Sequence, residues 1–149
     1  MKKIIIYICL LLPVVAFQSC KKEFSPGDNY PITDPLPPYI NIRTTALTVK
    51  QGATATFAFT LRTAFQQPVT VVYSVSGAVT LANQTATIPR DAVTANGSFV
   101  VPANTIVPPA TTATATVTLV SATTADGTKL TIGQNNVAAN QKFTLNITL

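Results

Sequence analysis

Apolar and polar residues alternate along most of the chain after Tyr39, and this is the period of a β-strand with one buried face. Between Ala55 and Leu61 the apolar residues are separated by threonine or alanine, and the same alternation returns after Pro68. The alternation predicts long strands at residues 54–61, 69–75, 112–119 and 143–149. Shorter strands are predicted at residues 39–42, 46–49, 79–81, 85–88, 98–101 and 129–132.

Turn signals separate these segments, and no stretch after residue 39 has a sustained helical period. Gln51-Gly52, Ser76-Gly77 and Asn96-Gly97 are typical turn sequences. Short strands at this spacing, without crossover helices between them, predict an all-β fold, an antiparallel immunoglobulin-like β-sandwich of about 7–9 strands over residues 39–149. Aromatic residues on the apolar faces are expected in its core, namely Phe57, Phe59, Tyr73, Phe99 and Phe143.

The composition argues against most kinds of enzyme chemistry. The 149 residues contain no histidine, which excludes histidine-based catalytic triads and histidine metal ligands. After residue 39 there is no cysteine, and the only carboxylates are Asp91 and Asp126, each in a turn sequence where Asp commonly bonds nearby backbone. We therefore expect no enzyme activity, no catalytic residues, no metal and no cofactor.

The net charge of +5 does not indicate a nucleic-acid partner. Lys2, Lys3, Lys21 and Lys22 supply much of it, and the later basic residues are scattered singly. Nucleic-acid binding requires a clustered basic surface, usually with aromatic platforms. No such cluster is visible in the sequence.

The first residues have the order of a secretion signal. Lys2 and Lys3 precede an apolar run over residues 4–16, which is shorter than the roughly 20 residues that a membrane helix needs. Phe17-Gln18-Ser19-Cys20 follows and resembles a bacterial lipobox. The resemblance implies that residues 1–19 are a signal peptide and that Cys20 is acylated.

The alternative is an ordinary secreted protein cut near Ala16, which would leave Cys20 as a thiol without a partner. Under the lipobox interpretation, residues 20–38 form a lipidated cysteine followed by a tether. This segment contains prolines at positions 26, 31, 35, 37 and 38, and such a composition favours an extended polyproline geometry of about 3.1 Å per residue.

Lys21-Lys22-Glu23-Phe24 resembles the start of many Bacteroidetes lipoproteins. The resemblance implies an outer-membrane localisation through the lipid anchor. Because Glu23 is the only acidic residue in this stretch, the sequence leaves open which face of the membrane carries the protein.

Residues 47–52, 57–61 and 67–75 resemble the first half of a Calx-beta domain. The resemblance implies an immunoglobulin-like sandwich. Where that family commonly has a glutamate before the glycine, this chain has Gln51, and the acidic calcium-binding loops of some members have no counterpart here. We therefore expect this chain to have the fold of that family but not its calcium binding.

Binding is the class of function that the sequence leaves open. Low charge, threonine-rich faces and sheet edges with few charged residues favour a protein-interaction or structural module. The alternative, implied by the lipoprotein resemblance, is a glycan-binding accessory protein of a nutrient-uptake system. The aromatic residues considered for such a ligand are Tyr30, Tyr39 and Phe65, although packing across a sandwich end also accounts for them.

Overall fold

A computed structural model describes residues 37–149, which form nine strands and no α-helix. The strands are β1 (Tyr39–Ile42), β2 (Ala46–Lys50), β3 (Thr54–Leu61), β4 (Val69–Gly77), β5 (Leu81–Ile88), β6 (Thr94–Val100), β7 (Thr112–Thr124), β8 (Thr131–Ile132) and β9 (Lys142–Thr148). Two short 3₁₀ turns, Gln134–Asn136 and Ala138–Asn140, lie between β8 and β9. The prediction of an all-β fold is confirmed.

The strands form two sheets, with the orders β6-β3-β1-β8 and β2-β9-β7-β4-β5. Both sheets are mixed, because β1 runs parallel to β8 and β2 runs parallel to β9. The prediction of purely antiparallel sheets is therefore wrong. The alternation of apolar and polar residues indicates which face of a strand is buried, but it does not indicate the direction of the neighbouring strand.

One side of the fold is closed by the chain that follows β7. The Leu130 amide donates to the Ala122 carbonyl over 3.0 Å, and the Thr131 amide then donates to Pro38 beside β1, also over 3.0 Å. Residues 128–132 thus pair first with β7 and then with β1, and they join the two sheets. The strands β5 and β6 end their sheets on the other side, where they contact each other.

The core lies between the sheets and contains the aromatic residues that the alternation predicts. Phe57, Phe59, Tyr73, Phe99 and Phe143 are all buried, and their rings contact one another. They come from β3, β4, β6 and β9, so the cluster ties both sheets together. The prediction of an aromatic core is confirmed.

Two local predictions differ from the structure. Asn96-Gly97 is not a turn but the middle of β6, where an added Cβ on Gly97 would lie 2.7 Å from a ring carbon of Phe57. The glycine serves close packing here rather than a turn. Residues 79–81 are not a separate strand, because Val79 is buried in the connection and β5 runs unbroken from Leu81 to Ile88.

Candidate functional site

The four strands at the ends of the sheets differ in how well their free edges are protected. β8 has two residues, and β2 has five and ends at Lys50. The pairing of β5 with β4 contains a register shift, and Asn83 within β5 has a positive φ of 52°. β6 has seven residues, pairs with β3 without a register shift and contains neither charge nor proline. Charges, bulges and short length are common protections of an edge strand, and β6 has none of them, although β5 of the other sheet contacts it.

The pairing of β3 with β6 defines which backbone groups face away from the sheet. Val93 accepts a hydrogen bond from the Leu61 amide (2.8 Å), and the Val101 amide donates to Ala53 (3.0 Å). In an antiparallel pair, hydrogen-bonded and non-hydrogen-bonded positions alternate. Odd-numbered residues of β6 therefore bond β3, and the amides and carbonyls of the even-numbered residues point outward. These residues are Thr94, Asn96, Ser98 and Val100, and all are exposed.

One of the outward-facing carbonyls already accepts a hydrogen bond from Tyr73. Its hydroxyl crosses from β4 and donates to the Ser98 carbonyl over 2.9 Å. Burial raises the pKa of Tyr73, and the bond to Ser98 offsets part of that effect, so the hydroxyl keeps its proton and remains a donor. This bond fixes the edge strand of one sheet to a buried residue of the other.

At one end of the fold, Gln51 lies in the turn between β2 and β3. Its side-chain oxygen accepts a hydrogen bond from the Ile106 amide over 3.1 Å. The neighbouring Gly52 amide donates to Val101 over 2.9 Å. The uncharged side-chain amide of Gln51 thus holds the connection between β6 and β7 by accepting this hydrogen bond.

The two carboxylates of this part of the chain lie at the other end, beside the loop over residues 62–68. The Asp91 amide donates to the Phe65 carbonyl over 2.7 Å, and Gln67 hydrogen-bonds the side chain of Asp126. Asp91 forms a 3.1 Å ion pair with Arg90, and both side chains are largely exposed. Exposed pairs of this kind contribute little to stability.

Asp126 has the turn role expected from the sequence. Its Oδ1 accepts hydrogen bonds from the Thr124 hydroxyl (2.5 Å) and the Thr128 amide (3.0 Å). These bonds, with that of Gln67, hold the pKa of Asp126 well below its ordinary value, and the Thr124 bond has the largest effect. The carboxylate is therefore an acceptor that organises the β7–β8 turn. Asp91 differs, because its carboxylate bonds the Arg90 side chain rather than backbone.

We expect Asp126→Asn to weaken the acid sensitivity of the fold. A carboxylate whose pKa is lowered by folding stabilises the folded state above its unfolded pKa of 3.8 and loses that contribution as the pH falls toward its folded pKa. The variant should melt at a lower temperature than the parent at pH 7, and the gap should narrow below about pH 4. Thermal melts between pH 7 and pH 2 measure this. Thr124→Val removes the donor with the largest effect on Asp126. In chains that carry Thr124→Val, the difference in melting temperature that Asp126→Asn produces at pH 7 should therefore be smaller. Melting temperatures of the parent and Asp126→Asn that fall in parallel with pH would contradict the assignment.

A shallow groove runs between residues 43–45 and the turn at Ala138–Asn140. It comprises two adjoining cavities of about 380 and 300 Å³, both lined by Thr45 and Ala139. The exposed Arg43 lies in one cavity and the exposed Lys142 in the other. These cations lie on an open surface, and no acidic side chain lines either cavity.

The residues considered for binding from the sequence are not brought together. Cys20, the expected lipidation site, and Tyr30 lie outside the described residues. Tyr39 and Phe65 are half-buried, and Phe65 packs against the core. Between residues 37 and 149 every aromatic ring is buried or half-buried.

The described part of the chain also lacks the clusters that metal chemistry requires. Among residues 37–149, no three histidine, cysteine or acidic side chains lie together in an arrangement that could hold a metal ion. The same residues include no helix that is long and apolar enough to cross a membrane.

Comparison with known proteins does not add a functional assignment. No family model matches this chain, and a comparison with curated proteins finds no match. The Calx-beta and lipoprotein resemblances therefore stay predictions. The clearest candidate site in the described residues is the free edge of β6.

Most of this edge is not predicted from the sequence. The pattern predicts a strand only from Ser98 and assigns Asn96-Gly97 to a turn. The signal that could have found the whole strand is the alternation of Ala95, Gly97 and Phe99 with polar neighbours. A glycine in such a series is compatible with a strand when large side chains pack over it.

Proposed function

We propose that this protein is a lipid-anchored β-sandwich of the cell envelope that acts as a non-enzymatic protein-interaction or structural module. The observation that carries the proposal is the free edge of β6, which is regular, exposed and uncharged. An extended segment of a partner can join such an edge through main-chain hydrogen bonds, with alternate side chains providing specificity.

We also propose an immunoglobulin-like arrangement related to Calx-beta domains. The division of the first part of the chain between the two sheets, with β2 parallel to the last strand, supports this arrangement. The three segments that resemble the family, residues 47–52, 57–61 and 67–75, fall on β2, β3 and β4. The neutral contact of Gln51 with Ile106 agrees with a member of this group that does not use calcium at that end.

The non-enzymatic part of the proposal rests on the side chains available in residues 37–149. Asp91 is engaged by Arg90, and Asp126 is engaged by the turn that it organises. The pKa of Asp126 is lowered, whereas a general acid at neutral pH requires a raised pKa. Interaction through backbone groups requires no such side chain.

Site-specific photo-crosslinking in intact cells tests the interaction. A photoreactive amino acid at Ser98, on the free edge, should give a protein adduct. The matched control is Thr114, which is exposed on β7, an interior strand between β9 and β4. No adduct at Ser98, or equal adducts at both positions, would contradict the assignment of β6 as the interaction site.

A further inference from the structure

We infer that the partner strand for β6 is β6 of a second copy of this chain, paired antiparallel about a two-fold axis at Gly97. The inference rests on the proposed function, because it takes the free edge of β6 as an interaction site. It adds the identity of the partner, the register and the symmetry. The four-stranded sheets of the two copies would then form one continuous sheet.

The outward-facing backbone groups favour this register over its neighbours. With the axis at Gly97, Thr94 lies opposite Val100 of the second copy, and Asn96 lies opposite Ser98 of the second copy. Every outward-facing residue of β6 then meets another outward-facing residue, as hydrogen-bonded antiparallel pairs require. With the two-fold axis at Asn96 or at Ser98, the residues at one end of β6 would lie opposite residues of the second copy that are outside its β6.

The bond from Tyr73 to Ser98 does not block this pairing. A backbone carbonyl has two lone pairs, so the Ser98 oxygen can accept from the Tyr73 hydroxyl and from an amide of the second copy. The Ser98 amide makes no bond to β3 and remains available as a donor. The Tyr73 contact also fixes the position of the edge, which reduces the ordering cost of association.

The side chains complement one another in this register. Val100 is 62% exposed, and pairing places the β-branched Thr94 of the second copy beside it. The Asn96 amide lies beside the Ser98 hydroxyl of the second copy, where the two can hydrogen-bond. At the axis Gly97 meets Gly97 of the second copy, so no side chains collide there.

Charge does not oppose the pairing. β6 has no charged residue, and neither have residues 101–111 that follow it. The nearest charges along the chain, Arg90 and Asp91, precede the strand and pair with each other. In the antiparallel register these two residues lie opposite the uncharged residues that follow β6 in the second copy.

A charge-swap experiment on the detergent-solubilised full chain tests the inference. Asn96→Lys with Ser98→Lys places lysine opposite lysine at both symmetric contacts, and Asn96→Glu with Ser98→Glu does the same with glutamate. Analytical ultracentrifugation should show a dimer for the parent, dimerisation weakened at least about ten-fold for each variant alone, and a restored heterodimer when the two variants are mixed.

The matched control is Thr54→Lys with Thr56→Lys. These exposed residues lie on β3 opposite Val100 and Ser98, on the same face but one strand away from the edge. This variant should dimerise like the parent. Circular dichroism and thermal melts check that each variant is folded.

A second measurement keeps the inference testable if the lysine or glutamate variants do not fold. Chains with Asn96→Cys mixed with chains carrying Ser98→Cys should form a mixed disulfide under mild oxidation, because opposed hydrogen-bonded residues have Cα atoms about 5.5 Å apart. A Thr54→Cys chain in place of the Ser98→Cys chain should not crosslink.

A monomeric parent, a dimer unaffected by the lysine pair, or mixed charge variants that stay monomeric would overturn the self-pairing. Absence of the mixed disulfide would also overturn it. A photo-crosslinked product at Ser98 with a mass other than that of two copies of this chain would support β6 as an interaction site. That result would refute only the second copy as its partner. These outcomes separate failure of the inference from failure of the proposed function.

Discussion

Replacing Phe57 with alanine should lower the free energy of unfolding by about 3–5 kcal/mol. The ring is buried at the centre of the aromatic cluster. Its centroid lies 5.5 Å from that of Phe59, 5.2 Å from Tyr73, 6.2 Å from Phe99 and 5.2 Å from Phe143. Alanine would remove all of these contacts and leave a cavity between the two sheets.

The loss is large relative to the whole, because folded domains are typically stable by only about 5–15 kcal/mol. Urea unfolding followed by circular dichroism measures the effect. Phe57→Leu should cost less, since leucine keeps much of the buried volume. Phe65→Ala is the peripheral control, because that ring is half-buried and packs against the edge of the core. An equal loss for Phe57→Ala and Phe65→Ala would contradict a central role for Phe57.

The same ring links the core to the candidate interaction edge. Gly97 lies directly under Phe57 and Phe59, and a Cβ there would come within 2.7 and 2.8 Å of their ring carbons. The rings of Phe57 and Phe59 can therefore pack over the middle of β6 only because residue 97 has no side chain. Phe57→Ala removes the packing that holds this strand, so we expect β6 to lose its regular edge along with the stability.

Much of the fold could be predicted from alternation, because a half-buried strand must separate its apolar and polar residues on two faces. The long strands β3, β4, β7 and β9 and the aromatic core follow from this requirement. The direction of each strand relative to its neighbour does not follow from it. Residues 43–45 transfer the chain from one sheet to the other, and alternation on either side of them is the same whether the neighbour is parallel or antiparallel.

The candidate site was harder to predict, because an unprotected edge is a property of the assembled sheet. Nothing in the composition of β6 separates it from interior strands. Its status follows from its place at the end of the order β6-β3-β1-β8, which depends on contacts distant in sequence. Asn96-Gly97 illustrates the difficulty, because the same dipeptide serves a tight turn or a close packing contact according to its neighbours.

Asp91 and Asp126 show the same dependence on context. Both occur in turn sequences, but only Asp126 accepts bonds from the turn itself. Asp91 has a positive φ of 60° and bonds the adjacent Arg90 side chain instead. The difference arises from the neighbours, since Thr124 and Thr128 give Asp126 two donors at close range.

Cys20→Ala should remove the protein from the membrane fraction or stall it as an uncleaved precursor. The reason lies in the lipobox-like sequence at residues 17–20, whose cysteine we expect to receive the acyl chains. Each buried methylene of an acyl chain contributes roughly 0.8 kcal/mol, and two or more chains hold a protein stably where a single chain does not. No other residue of the expected mature chain is a cysteine, so none can replace it.

Fractionation of cells into membrane and supernatant, followed by mass measurement of the released protein, gives the result. Cys9→Ala is the matched control, because Cys9 lies within the apolar run expected to be removed and should leave membrane attachment unchanged. Membrane attachment also raises the local concentration of neighbouring copies, and this favours weak contacts such as strand pairing. Cys20→Ala should therefore reduce any β6-dependent adduct at Ser98 in cells as well, and unchanged fractionation of this variant would refute the anchor.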